Sequence, residues 1–183
     1  MVDAMADQLA ADDWVRAALA AILEGGIEAV AVEPLARRLG VTKGSFYWHF
    51  SSRDALLGAA IERWAADQTA PDPDGAEPDP QAALEHLIRK ALKLVGRPTI
   101  QRRLASHADR DPRIAAAMAE VARSRIERIA ALYGRLGLKP AAARARAVVA
   151  YATILGLEQL DRGGGLEVGE ETLVRQLRLT LAP

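Results

Sequence analysis

The chain has 183 residues, 24 Lys and Arg against 24 Asp and Glu, an apolar fraction of one half, 4% aromatic residues and no cysteine. That length suits one compact unit, or a small domain leaning on a larger one, and a charged fraction of 26% excludes a wholly disordered polyelectrolyte. Without cysteine there is no disulfide framework, thiolate zinc site or cysteine nucleophile.

The amino terminus carries Asp3, Asp7, Asp12 and Asp13 where an export signal would carry lysines. The longest apolar stretch, Ala147 to Leu157, is well short of a bilayer span. A cytoplasmic protein with no membrane partner is therefore expected. The neutral total hides an asymmetry: residues 1–68 hold 6 basic and 10 acidic side chains, whereas residues 86–146 hold 15 basic and 4 acidic. Local patches, and not the net charge, must be read for a polyanionic partner.

Alanine, leucine, arginine and glutamate, the residues of lowest helix cost, dominate, and strand-like alternation is nowhere sustained, so the fold class is all-α with about nine helices. A first helix starts from Asp12 or Asp13 as N-cap, carries Trp14, Ala18, Ala21 and Ile22 on one stripe, and ends at Gly25-Gly26. Pro34 suits the first turn of a short second helix that Gly40 terminates. Thr42 can cap a third helix running to about Phe50, and Ser51 with Asp54 resembles a capping box for a fourth. Residues 69–80, with four prolines and four acids, read as an acidic Pro-rich loop. Further helices are expected at roughly 81–95, 98–108, 112–136, 140–161 and 169–181.

The informative stretch is Val32 to Leu57. Two short helices joined by a tight turn containing glycine describe a helix-turn-helix. Gly40 can take the positive φ of the turn, Val41 can plug the angle between the helices, and Ala36 allows their close approach. Leu35, Leu39, Phe46 and Phe50 supply a small core, leaving Thr42, Lys43, Ser45, Tyr47, Trp48 and His49 outward. From Pro34 to Arg53 there are four basic residues and no acid, inside an otherwise acidic segment, which is what contact with phosphates requires.

The run GVTKGSFYWHFSSRDALL closely resembles the recognition-helix signature of the TetR family of bacterial transcriptional regulators, with its Gly-Val-Ser/Thr turn, its Tyr-x-His-Phe helix and a following Lys or Arg. Upstream, Gly26-Ile27-Glu28-Ala29-Val30 matches the exit of that family's first helix. The resemblance implies a three-helix helix-turn-helix DNA-binding domain over 1–55 and a helical ligand-binding and dimerisation domain over 56–183. It also implies a homodimer on a palindromic double-stranded operator, probed by two recognition helices, and released by a small-molecule effector of unknown identity. Tyr47 and His49 match positions that touch phosphate, and Arg53 matches a phosphate clamp at the start of the fourth helix. Thr42, Lys43, Ser45 and Trp48 would face the groove, Lys43 donating to guanine and Trp48 packing on a thymine methyl. Gly44 would let backbone approach the duplex. Ser51-Ser52 stands where many relatives carry a proline before the basic residue.

Catalysis finds little support. The three histidines are far apart with no metal-binding helical spacing, and Gly163-Gly164-Gly165 lacks the Lys-Ser/Thr of a phosphate loop, so neither enzyme activity, metal nor cofactor is expected. For an effector pocket the candidate lining residues are Trp64, Leu94, Arg97, Arg103, Leu104, His107, Met118 and Tyr151, with core packing the competing fate of each. The arginines of 86–146 read first as solvated faces and intrahelical ion pairs. The last two helices look like an isologous interface through Val148, Ala152 and Leu155 on one and Leu173, Leu177 and Leu181 on the other. The alternative for the whole chain is a helical module whose helix-turn-helix holds a protein partner.

Overall fold

The computed structural model describes residues 9–71, 78–162 and 169–180. The centre of the acidic loop, Gly163 to Gly165 and Leu181 lie outside the described residues. Among those described, nine α-helices follow in order: α1 (Ala11–Gly25), α2 (Val32–Leu39), α3 (Lys43–His49), α4 (Arg53–Thr69), α5 (Pro80–Leu92), α6 (Ile100–Ala105), α7 (Pro112–Arg135), α8 (Pro140–Arg162) and α9 (Glu170–Thr180). A single 3-10 turn at Ile27–Ala29, which periodicity does not reveal, separates α1 from α2.

Local chemistry explains the boundaries. The expected N-cap of α1 moves upstream: the helix begins after Ala10, and Asp13, three residues on, accepts the Ala10 N–H at 2.8 Å. The cap of α4 moves one residue downstream, because Ser52 and not Ser51 accepts the Ala55 N–H, at 3.1 Å. Thr42 occupies the N-cap position of α3 but its side chain makes no capping hydrogen bond. Asp79 caps α5 by accepting from the amides of Gln81 and Ala82, with Pro80 in the first turn. Thr99 caps α6, which is shorter than the periodicity suggests and gives way to turns before Asp111.

Contact density divides the chain into two compact units, one of Met1–Gln68 with Pro98–Val121, the other of Thr69–Arg97 with Ala122–Pro183. Packing therefore assigns α4, α6 and the start of α7 to the same unit as the helix-turn-helix, a grouping distinct from the 1–55 and 56–183 division. The reason is a shared core. Trp14, Ala18 and Ile22 of α1, Leu35 of α2 and Phe46 of α3 are buried with Leu56, Ile61 and Trp64 of α4, Leu104 of α6, and Ile114 and Val121 of α7. Burying a large apolar side chain contributes about 1.5–3 kcal/mol, so no two of these helices could hold the arrangement alone.

In the second unit, Ala83 and Leu84 of α5 pack with Leu132 and Tyr133 of α7 and Ala143 and Ala147 of α8. A second cluster joins Ile88 and Leu92 of α5 to Ala150 of α8 and to Val174 and Leu177 of α9. The edges of the acidic loop are tied to α7: Arg128 donates to the Ala70 carbonyl and Arg135 to that of Pro78.

Candidate nucleic-acid interface

The turn between α2 and α3 is built as the residue types require. Gly40 closes α2 in the left-handed region, at φ 71°. The Gly40 amide then donates to Arg37 and that of Val41 to Ala36, the paired bonds that satisfy the last helical carbonyls. Ala36 is buried and Val41 half-buried against the core. Phe46 anchors α3 from below: it is fully buried, its ring edge-on to Trp14 at 5.2 Å between centroids and stacked on Phe50 at 5.8 Å.

With Phe46 pointing in, the helical period turns the rest of α3 outward. Tyr47 is 57% exposed and Trp48 89%, the highest value among the exposed large apolar side chains. Thr42, Lys43, Gly44 and His49 are exposed, and Ser45 is half-buried. An indole left this open is costly in water. At Gly44 an added methyl would only reach ordinary contact, 3.6 Å from the Thr42 hydroxyl, so the chain's own packing does not demand glycine there.

Two of the expected basic contacts have partners within the chain. Arg53 donates Nε to the Val30 carbonyl at 2.5 Å and Nη2 to the Ile27 carbonyl at 2.6 Å. The residue expected to clamp phosphate thus also fastens the start of α4 to the turn that follows α1. Lys43 pairs with Glu33, Nζ to Oε1 3.0 Å. The hydrogen bond to Glu33 holds the Lys43 ammonium above its ordinary pKa, and the Glu33 carboxyl lies below the usual carboxylate range for the same reason. Glu33 is missed by the linear charge count, which opens the basic run one residue later. Arg38 makes a forked pair with Glu24, both contacts at 2.8 Å.

The same unit carries two further braces. Arg113 at the head of α7 grips both carboxylate oxygens of Asp54, at 2.8 and 2.9 Å, and also Asp111 at 2.7 Å. Its guanidinium hydrogen bonds hold Asp54 and Asp111 below the ordinary carboxylate range. On α6, Arg103 donates to the carbonyls of Leu23 and Glu24 at the end of α1, and in the turn after α6 His107 Nε2 lies 2.9 Å from Glu28.

The residues expected to line an effector pocket are not gathered into one unit. Trp64 and Leu104 are closed into the first core, and Met118 packs half-buried against it. Arg103 and His107 are engaged as described, in that same unit. Leu94, Arg97 and Tyr151 belong to the second unit, Leu94 and Arg97 exposed and Tyr151 half-buried with the Arg125 guanidinium 6.0 Å from its ring centre. The two sets of expected interface residues also part company. Val148, Ala152 and Leu155 are exposed along α8, whereas Leu177 is buried and Leu173 half-buried against the chain's own α5–α8–α9 cluster. The α9 stripe is turned inward because Val174 and Leu177 fill the space beside Ile88, Leu92 and Ala150.

Residues 15–60 match the family model for bacterial regulatory proteins of the tetR family. Residues 15–60 thus form a domain of the TetR-family type. Over 53 residues it is 42% identical to the class A tetracycline repressor from transposon 1721 of Escherichia coli, an overlap of 29% of this chain and 24% of that repressor. The chain thus spans about a quarter of the length of the curated relatives it matches. At the level of fold the likeness is much longer. Escherichia coli NemR in its reduced form superposes with a TM-score of 0.73 at 19% identity, over 93% of this chain and 95% of that one. BioQ, solved with its natural double-stranded DNA operator, superposes with a TM-score of 0.56 at 23% identity, over 96% and 99%. Both share the architecture of an amino-terminal helix-turn-helix domain followed by a helical carboxyl-terminal domain. The TetR-family model covers the whole of α2 and α3, with Arg53, and stops at residue 60, ahead of every candidate effector and interface residue.

Proposed function

We propose that this chain is a transcriptional regulator that binds a palindromic DNA operator as a homodimer, represses by doing so, and leaves the operator when a small molecule binds. The observation that carries the reading is α3: a short helix pinned from beneath by Phe46, with Lys43, Tyr47, Trp48 and His49 open to solvent. A helix-turn-helix places such a helix in the major groove. In this reading Thr42, Lys43, Ser45 and Trp48 face base edges, Gly44 admits the duplex backbone, and Tyr47 and His49 contact phosphates. Arg53 keeps α4 in place and adds positive potential beside them. Residues 1–55 form the DNA-reading part and 56–183 the part that pairs and senses. Repression is supported by the tetracycline repressors matched over this domain.

Pairing is supported by α8, where Val148, Val149, Leu155 and Leu160 are exposed large apolar residues. Two such stripes, interdigitated at Ala152 and Gly156, would form an isologous helical interface. The effector site belongs to the carboxyl-terminal helices, with Leu94, Arg97 and Tyr151 the candidates that core packing has not claimed. No described helix is long and apolar enough to cross a membrane. As a DNA-binding regulator it is not an enzyme.

Selection of bound fragments from random duplexes tests the reading directly. Enrichment of a two-fold symmetric sequence, bound with steep salt dependence by a dimer, is expected. A pool that returns no enriched sequence would refute it.

A further inference from the structure

Glu33 stands in the first turn of α2 and Lys43 is the first residue of α3. Their ion pair, 3.0 Å long with the two side chains 67% and 53% exposed, brings the starts of both helices together on one open edge. The edge continues into Tyr47, one helical turn beyond Lys43 on α3 and itself exposed. So the carboxylate lies on the face that carries the exposed lysine and aromatics, at the border of a run with four basic residues and no acid.

A pair this exposed contributes little to folding, and an anion on a surface meant for phosphates weakens every non-specific encounter. Its position is accounted for if the carboxylate reaches base edges. In the major groove a carboxylate can accept only from the amino groups of cytosine or adenine, while an ammonium needs acceptors. A cation and an anion held side by side therefore suit a base pair that offers both. Guanine offers the ammonium two acceptors, O6 and N7, where adenine offers one, and its cytosine partner supplies the amino donor next to O6. An A·T pair also offers the carboxylate an amino group, adenine N6, but it leaves the ammonium a single acceptor on either side of that group, N7 or O4, in place of the adjacent O6 and N7 of guanine.

We propose that Glu33 and Lys43 read DNA as one unit, selecting a G·C pair in each half of the operator, with Lys43 donating to guanine O6 and N7 and Glu33 accepting from cytosine N4. The inference rests on the DNA-binding reading above and extends it to a residue outside α3. Glu33 is then a specificity determinant that lowers affinity for DNA in general.

The test is selection from random duplexes with the full-length wild type, Glu33→Gln, Lys43→Met and the double variant, followed by titration of the selected operator, a version with that pair changed to A·T, and a random duplex. The wild type is expected to hold one G·C pair fixed per half-site and to lose about ten- to a hundred-fold on its replacement. Glu33→Gln is expected to discriminate less than about three-fold at that pair and to bind the random duplex more tightly than wild type. Lys43→Met loses the same preference, and the double variant loses no more than either single one. Since both side chains are exposed, helicity by circular dichroism should match in all four proteins.

Glu33→Gln that keeps wild-type discrimination at every position, or that binds random duplex no better, overturns the proposal and leaves the DNA-binding reading standing. A wild type that enriches no duplex overturns both.

Discussion

A single side chain, Arg53, ties the first residue of α4 to the carbonyl of Val30, 23 residues earlier, and to that of Ile27, 26 earlier. The bond pair spans the whole helix-turn-helix, so the recognition helix is framed by a closed loop.

Arg53→Met should therefore lower stability as well as DNA affinity. Losing these part-buried, charge-assisted hydrogen bonds costs about 1–2 kcal/mol, a fall in Tm of about 2–8 °C for a chain of this size. Arg53→Lys keeps the charge but cannot fork to two carbonyls, and it should resemble Arg53→Met in thermal unfolding. A lysine variant with wild-type Tm and wild-type salt dependence of DNA binding would show that only the charge matters.

Trp48 and Phe46 are two residues apart on α3, one nearly bare and the other fully buried. Trp48→Ala should leave thermal stability within about 0.5 kcal/mol of wild type and weaken operator binding about ten-fold or more. Phe46→Ala should cost about 3–5 kcal/mol and abolish binding through unfolding of the unit. Calorimetry beside fluorescence anisotropy separates the two, and a Trp48→Ala protein of unchanged affinity would remove the indole from the interface.

The Arg113 brace has a defined pH signature. Asp54 and Asp111 are held below their ordinary range by its hydrogen bonds, so they bind fewer protons in the folded chain than in the unfolded one. Such groups contribute their stabilisation above the unfolded pKa and lose it as pH falls through the lower, folded value. The difference in urea midpoint between wild type and Asp54→Asn should thus be constant from about pH 8 to about pH 5 and close below the ordinary aspartate value of 3.8. A gap that persists unchanged in strong acid would mean that the Arg113 contact is not its source.

On α8, Val148→Glu with Leu155→Glu should leave helicity intact and shift sedimentation from dimer to monomer, with loss of operator binding. Leu177→Ala tests the inward side: its burial against Ile88, Leu92, Ala150 and Val174 predicts a loss of about 2–5 kcal/mol. If Leu177→Ala instead dissociates the dimer without destabilising the subunit, α9 makes the interface.

The helical elements were legible because the chain punctuates them chemically. Gly40 with its positive φ, Pro80 after Asp79, and Asp111 before Pro112 all act at short range, where residue type alone is decisive. The α3 surface was legible too, since Phe46 fixes which way Tyr47, Trp48 and His49 must turn. What escaped depends on partners distant in sequence. Nothing in the spacing tells that Trp64 and Leu104 close one core, that Leu177 faces inward, or that Arg53 reaches Val30. The Glu33–Lys43 pair, ten residues apart, is intermediate: its helices were foreseen, but their relative angle was needed to join the charges.

The first compact unit is discontinuous, drawing on residues up to Gln68 and again on Pro98–Val121. A gene fragment cut after residue 68 would encode Trp64 and Ile61 stripped of Leu104, Ile114 and Val121, a sticky half-core prone to aggregate. Transferred as a simple cassette, this segment would carry the same uncovered apolar face with it. Substitutions at exposed positions of α2 and α3 leave that shared core untouched, whereas moving the segment as a cassette breaks it open.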